Sequence, residues 1–127
     1  MLQWATDDAT VGMSSNAPRP DELITARPYV RADLDGAQHQ SFTDVCEYQD
    51  LLAAMPGTPA ALSEALDDYA AEGCLEGQMP IEEAHRIIKR LTTAFLVEQL
   101  WDDDTYATLL RPPDGADPTL SELTYEN

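Results

Sequence analysis

The sequence predicts an α/β fold in which two parallel strands come first, three to four helices follow, and the sheet is incomplete. Three observations carry this expectation. Two short extended runs, MLQWAT at 1–6 and YVRADL at 29–34, are each followed at once by carboxylates. The longest amphipathic stripe, over 81–101, is wide enough to cover several strands. Only two runs read as strands, and the loop joining them lacks a full-length crossover helix, so they make a poor sheet by themselves. The chain therefore reads as the back end of a larger α/β domain.

The elements follow in order. MLQWAT is short, mostly apolar and stopped by Asp7-Asp8. Residues 12–21, GMSSNAPRPD, have loop composition. Glu22 to Ala26 fits one helical turn before Arg27-Pro28. Tyr29 to Leu34 alternates and carries aromatic and β-branched residues, and Asp35-Gly36 closes it. Apolar residues at 42, 45, 48, 51, 52 and 55 then recur at helical spacing until Pro56-Gly57. Pro59 to Ala71 predicts another helix, with Thr58 as its cap and Gly73 as its stop. Pro80 opens the longest helix, with a stripe at 81, 84, 87, 88, 91, 94, 95, 97, 100 and 101. Asp102-Asp103-Asp104 precedes a last short helix, Thr105 to Leu110, which Arg111-Pro112-Pro113 ends. The tail to Asn127 reads as mobile.

At 127 residues the chain is long enough for one small domain, and 43% hydrophobic residues suffice for a core. Acids outnumber bases 24 to 7, for a net charge of -17. A nucleic-acid backbone would repel such a surface, which excludes direct nucleic-acid binding as an expectation. With a single lysine, Lys89, the balance fits solubility in concentrated salt, where screening removes self-repulsion. The start, MLQWATDDAT, has no basic residues and no long apolar run, and no stretch approaches a membrane span. A cytoplasmic location is expected. In a reducing compartment Cys46 and Cys74 read as small buried thiols, with a bridge between them as the alternative.

Functional residues of open α/β sheets gather on loops at the carboxyl ends of strands. Here Asp7 and Asp8 end the first strand and His39 lies just past the second. A carboxylate that holds a histidine tautomer while the histidine takes a nucleophile's proton is the acid–base half of a hydrolytic triad. The bland alternatives are a turn or cap role for the aspartates and a solvated loop role for His39. Ser14 and Ser15 read as loop serines rather than nucleophiles. A zinc site would have to draw on His39, Cys46, Cys74 and His85, and no C-x-x-C pair supports one.

The motifs resemble a known family. DGAQHQSFTDVC (35–46) resembles the histidine segment of the dienelactone hydrolase and platelet-activating-factor acetylhydrolase branch of the α/β hydrolases, Gly-Ala-Gly-His-x-x-Phe-x-Asp. LQWATDDATV (2–11) is similar to the acid-bearing strand, with Ala5 in place of a glycine, which aligns Asp8 with the acid; Asp7 is the register alternative. Residues 73–110 resemble the closing helix, with its Thr-Ala-Phe-Leu, acidic turn and Tyr-x-x-x-Leu. The family's nucleophile motif, Gly-x-Ser-x-Gly, is absent from the sequence, and Gly12-Met13-Ser14-Ser15-Asn16 does not replace it.

The resemblance implies that residues 1–111 are the C-terminal part of an α/β-hydrolase domain and that 112–127 are a flexible acidic tail. It implies a serine ester hydrolase segment with His39 as base and Asp8 as its orienting acid, inactive alone, with no metal or organic cofactor. Its partners would be a polypeptide supplying the serine-bearing half, or a second copy of the chain, and a small ester substrate once completed. From a different class, a non-catalytic acidic interaction protein, such as a nucleic-acid mimic or partner-binding module, accounts for the same charge.

Overall fold

The computed structural model describes residues 1–16, 18–111 and 117–126. A three-stranded open sheet has the order β1 (Leu2–Ala5), β2 (Tyr29–Leu34), β3 (Leu120–Glu126). β1 and β2 are parallel, in register from Leu2 opposite Arg31 to Ala5 opposite Leu34. β3 runs antiparallel along the other edge of β2, from Tyr29 opposite Glu126 to Leu34 opposite Leu120, with a bulge at Asp33/Leu34. The central strand is therefore β2, and the chain's last strand occupies residues expected to belong to a mobile tail. Its own pattern hides it. Ser121 and Glu122 face solvent, and only Leu120 is fully buried, so alternation is weak until β2 provides an edge.

Between β1 and β2 lie two short helices, α1 (Met13–Asn16) and α2 (Pro18–Leu23), where loop and a single later turn were expected. Pro18 and Pro20 fall within the first turn of α2. Helix-opening N–H groups have no intrahelical partner there, so proline costs little and presets φ.

Helix α5 (Ile81–Trp101) covers one face of the sheet. Ala84, Ile87, Leu91 and Ala94 are buried with Val30, Ala32 and Leu34 of β2, Ala5 of β1, Leu110, and Leu120 of β3. The 81–94 part of the predicted stripe is thus the core seam. Past it the stripe runs off the sheet, leaving Leu100 67% and Trp101 71% exposed. Ile87→Ala removes a fully buried branched side chain from this seam. It is expected to cost about 2–5 kcal/mol, read as a lower urea midpoint with an unchanged slope.

The remaining helices are α3 (Val45–Ala54), α4 (Ala60–Ala70) and α6 (Ala107–Leu110). Thr58 does not cap α4: its hydroxyl donates to the carbonyls of Leu52 and Met55, closing the C-terminal end of α3 instead. Asp102 ends α5 in the left-handed conformation (φ 53°), and Asp103 accepts from the Thr105 N–H, so this acidic run shapes a turn ahead of α6. Cys46 and Cys74 are joined in a disulfide with Cα atoms 5.6 Å apart, in place of the expected free thiols. The bridge forms because α3 and α4 fold into a hairpin that brings together residues 28 apart. Among the described residues, no helix is long and apolar enough to cross a membrane.

Candidate functional site

The ends of β1 and β2 stay tied beyond the last ladder pair. Thr6 N–H donates to Leu34 O (3.1 Å), Asp7 N–H to Ala37 O (3.0 Å), and Gly36 N–H to the Thr6 hydroxyl (2.8 Å). Parallel pairing places both carboxyl ends on the same side of the sheet, and these bonds hold the following residues together. Gly36 takes φ +74°, a turn conformation that a side chain disfavours. After it, His39 opens a 3₁₀ turn, His39–Phe42, held by Gln38 N–H donating to Ser41 Oγ at 2.9 Å.

The result is direct contact between the expected acid and the expected base. His39 Nδ1 lies 3.0 Å from Asp8 Oδ2. A carboxylate only accepts, so Nδ1 carries a proton, and in the neutral ring this leaves the lone pair on Nε2. Among the described residues, nothing is hydrogen-bonded to Nε2. The Asp8 side chain is 9% exposed and that of His39 35%, so the acid is sheltered and the ring is reachable.

The other oxygen of Asp8 accepts from the Val11 N–H at 2.6 Å. Burial pushes this carboxyl up, but the Val11 N–H, the His39 ring and the Thr10 N–H together outweigh it and hold the pKa below its ordinary 3.8. A carboxylate with a depressed folded pKa contributes stability that is complete above its unfolded value and lost as pH falls through the folded one. The stability difference between the native chain and Asp8→Asn is therefore expected to be constant near neutral pH and to shrink below pH 3.8. Urea titrations across that window measure it, and a difference that persists unchanged to the most acid point contradicts it.

Asp7 does not share the site. Its side chain is exposed and, among the described residues, accepts only from its neighbour Thr6 (3.3 Å). Ser14 is exposed on α1 and makes no bond to His39; the Ser15 side chain lies outside the described residues. His85 is elsewhere, on α5, with Nε2 3.1 Å from the Thr43 carbonyl oxygen. Among the described residues no cluster of His, Cys, Asp or Glu could hold a metal ion.

The rest of the site was not legible in the sequence. An open cavity of about 240 Å³ beside His39 is lined by Thr10, Gln40, Asp68, Tyr69 and Glu72. Its far wall thus comes from α4 and the turn after it. Gln40 N–H donates to Glu72 O (2.7 Å) and the Thr10 hydroxyl to Glu72 Oε2 (2.7 Å), which fasten that wall to the histidine turn and to the segment after β1. The one local hint is Gly73. With φ +152°, a Cβ there would stand 3.1 Å from the carbonyl carbon and Cβ of Gln40 and from the Ser41 nitrogen, so the close approach needs glycine.

Comparison with protein-family models, with curated proteins and with solved structures gives no match. What bears on function is therefore the chemistry of the site itself. An imidazole with Nδ1–H on a sheltered carboxylate and an open Nε2 is suited to taking a proton from a hydroxyl or water. The carboxylate rim of Asp68 and Glu72 disfavours anionic molecules at the same place.

Proposed function

We propose that the chain supplies the acid and the base of a serine-hydrolase site of the α/β-hydrolase type, with the nucleophile delivered from outside these 127 residues. The observation that carries this reading is the 3.0 Å contact between His39 Nδ1 and Asp8 Oδ2 at the carboxyl ends of two adjacent parallel strands. The missing Gly-x-Ser-x-Gly supports the second half of the reading. The open outer edge of β1 offers backbone groups to which a further strand could pair.

In the completed site the reaction is ester cleavage through a serine acyl intermediate. His39 Nε2 takes the serine proton, then delivers it to the leaving alcohol, and repeats the exchange with water. Asp8 keeps Nδ1 protonated and stabilises the imidazolium. The cavity beside His39 favours neutral or cationic esters over carboxylate-bearing ones.

The test is reconstitution with a polypeptide segment carrying Gly-x-Ser-x-Gly, encoded upstream or in a neighbouring reading frame. Purified alone, the chain is expected to leave a short-chain nitrophenyl ester at the background rate. Together the two are expected to hydrolyse it, with loss of activity in His39→Ala. Hydrolysis by the chain alone would point to a different nucleophile. Failure of every such segment to bind or to gain activity would favour the acidic interaction module.

A further inference from the structure

We propose that the Cys46–Cys74 disulfide is a redox latch on the α3–α4 hairpin, and that its reduction opens the wall of the His39 cavity. The inference goes beyond the hydrolytic reading and needs only that His39 lies where the structure puts it.

The hairpin has little else to hold it down. No residue of α3 or α4 belongs to the core formed by the sheet, α5 and α6. Its two buried residues, Val45 and Ala70, are the first of α3 and the last of α4, so both sit at its base. Along its length Tyr48, Leu51, Met55, Leu62 and Tyr69 are exposed. Within the hairpin, Gln49 donates to Asp67 (2.7 Å), which ties α3 to α4 but neither to the core.

The disulfide closes that base. Cys46 is the second residue of α3, four residues after the end of the 3₁₀ turn that His39 opens. Cys74 follows Gly73, whose backbone packs against Gln40 and Ser41 of that turn. The bridge thus joins the segment leaving the His39 turn to the segment leaving the Asp68–Tyr69–Glu72 wall. Without it, the wall would be held mainly by the bonds of Glu72 to Gln40 and Thr10 and of Gln78 to the Ala71 carbonyl. Segments with few buried apolar contacts are those that open locally below the cost of global unfolding.

The bridge is also within reach of a reductant. Both cysteines are partly exposed and line an open groove of about 430 Å³ with Gln49, Asp50, Leu75 and Gly77. A dithiol reduces it in two exchanges. One thiolate attacks a cysteine Sγ and expels the other cysteine as thiolate, forming a mixed disulfide. The reductant's second thiolate then attacks the reductant sulfur of that mixed disulfide and expels the first cysteine as thiolate. Two electrons pass to the protein, the reductant leaves as a cyclic disulfide, and its two protons end on the cysteines.

Hydrogen exchange on the native chain, oxidised and then reduced with dithiothreitol, tests this. Amides of 45–72 are expected to exchange roughly tenfold or more faster on reduction, while those of β2 and α5 keep their protection. Acylation of His39 by diethylpyrocarbonate is expected to speed up several-fold, and reoxidation is expected to restore both. Cys46→Ser/Cys74→Ser is expected to match the reduced state with or without reductant. Unchanged exchange in 45–72 would overturn the proposal. So would loss of protection throughout β2 and α5, because the bridge would then hold the whole fold rather than a wall. Neither measurement involves ester hydrolysis, so failure here is separable from failure of the hydrolase reading.

Discussion

A chain ended after Thr119 is expected to lose its cooperative fold rather than merely shed its last eight residues. β3 pairs along the whole of β2, and without it the sheet shrinks to the four-residue parallel ladder of β1 and β2. Two-stranded sheets are marginal in water. The outer edge of β2 would then face water beside Val30, Ala32 and Leu34, which are fully buried in the intact protein. Side chains go with the strand. Leu120 leaves the core, and Glu98 loses the Tyr125 hydroxyl that donates to it at 3.0 Å. Arg111 loses the Tyr125 ring it stacks over at 4.2 Å, and Arg27 loses Glu126 at 2.7 Å. The two exposed pairs contribute little. The lost ladder and core residue together should cost about 5 kcal/mol or more, which is comparable with the whole stability of a small domain. Circular dichroism through a urea series measures this. A truncated chain with the same midpoint as the full one would mean that β3 is only an ornament on a self-sufficient core.

If the chain completes the proposed hydrolytic site, Asp8→Asn is expected to lower kcat by about 10⁴, the size of effect seen when a triad carboxylate is made an amide. The side chain keeps its shape, and its carbonyl oxygen can still accept from the Val11 N–H. The amide then turns its NH2 toward His39, which favours the tautomer with the proton on Nε2. No lone pair faces the nucleophile in that form. KM is expected to stay within a few-fold, because Asp8 is sheltered behind the ring and does not line the cavity. Asp7→Asn is the control and is expected to leave kcat unchanged, since the Asp7 side chain is exposed and, among the described residues, accepts only from Thr6. Equal activity in the Asp8 variant, or equal losses in both, would remove Asp8 from the proposed role.

Local pattern determined a good part of this. The β1 and β2 runs, the α5 stripe from 81 to 94 and the breaks at Pro56-Gly57 and Gly73 follow from alternation, helical period and turn chemistry. That an aspartate after β1 would meet His39 was legible for a related reason: both lie a few residues past the ends of parallel neighbours, which brings them to one end of the sheet. Position left Asp7 and Asp8 equal, and only the family resemblance favoured Asp8.

What only the tertiary structure decided depends on contacts distant in sequence. Leu120–Glu126 is a strand because β2 has a free edge beside it, and its own mostly polar residues carry little preference. The stripe at 48, 51 and 55 marks a helix face, yet Tyr48, Leu51 and Met55 are exposed, because periodicity says that a face exists and not that anything covers it. Cys46 meets Cys74, and Asp68, Tyr69 and Glu72 come to His39, only because the α3–α4 hairpin folds back over the 3₁₀ turn. Spacing along the chain holds information on residues within a turn or a strand of one another. The position of a hairpin against a loop is set by packing and closure, which no local pattern records.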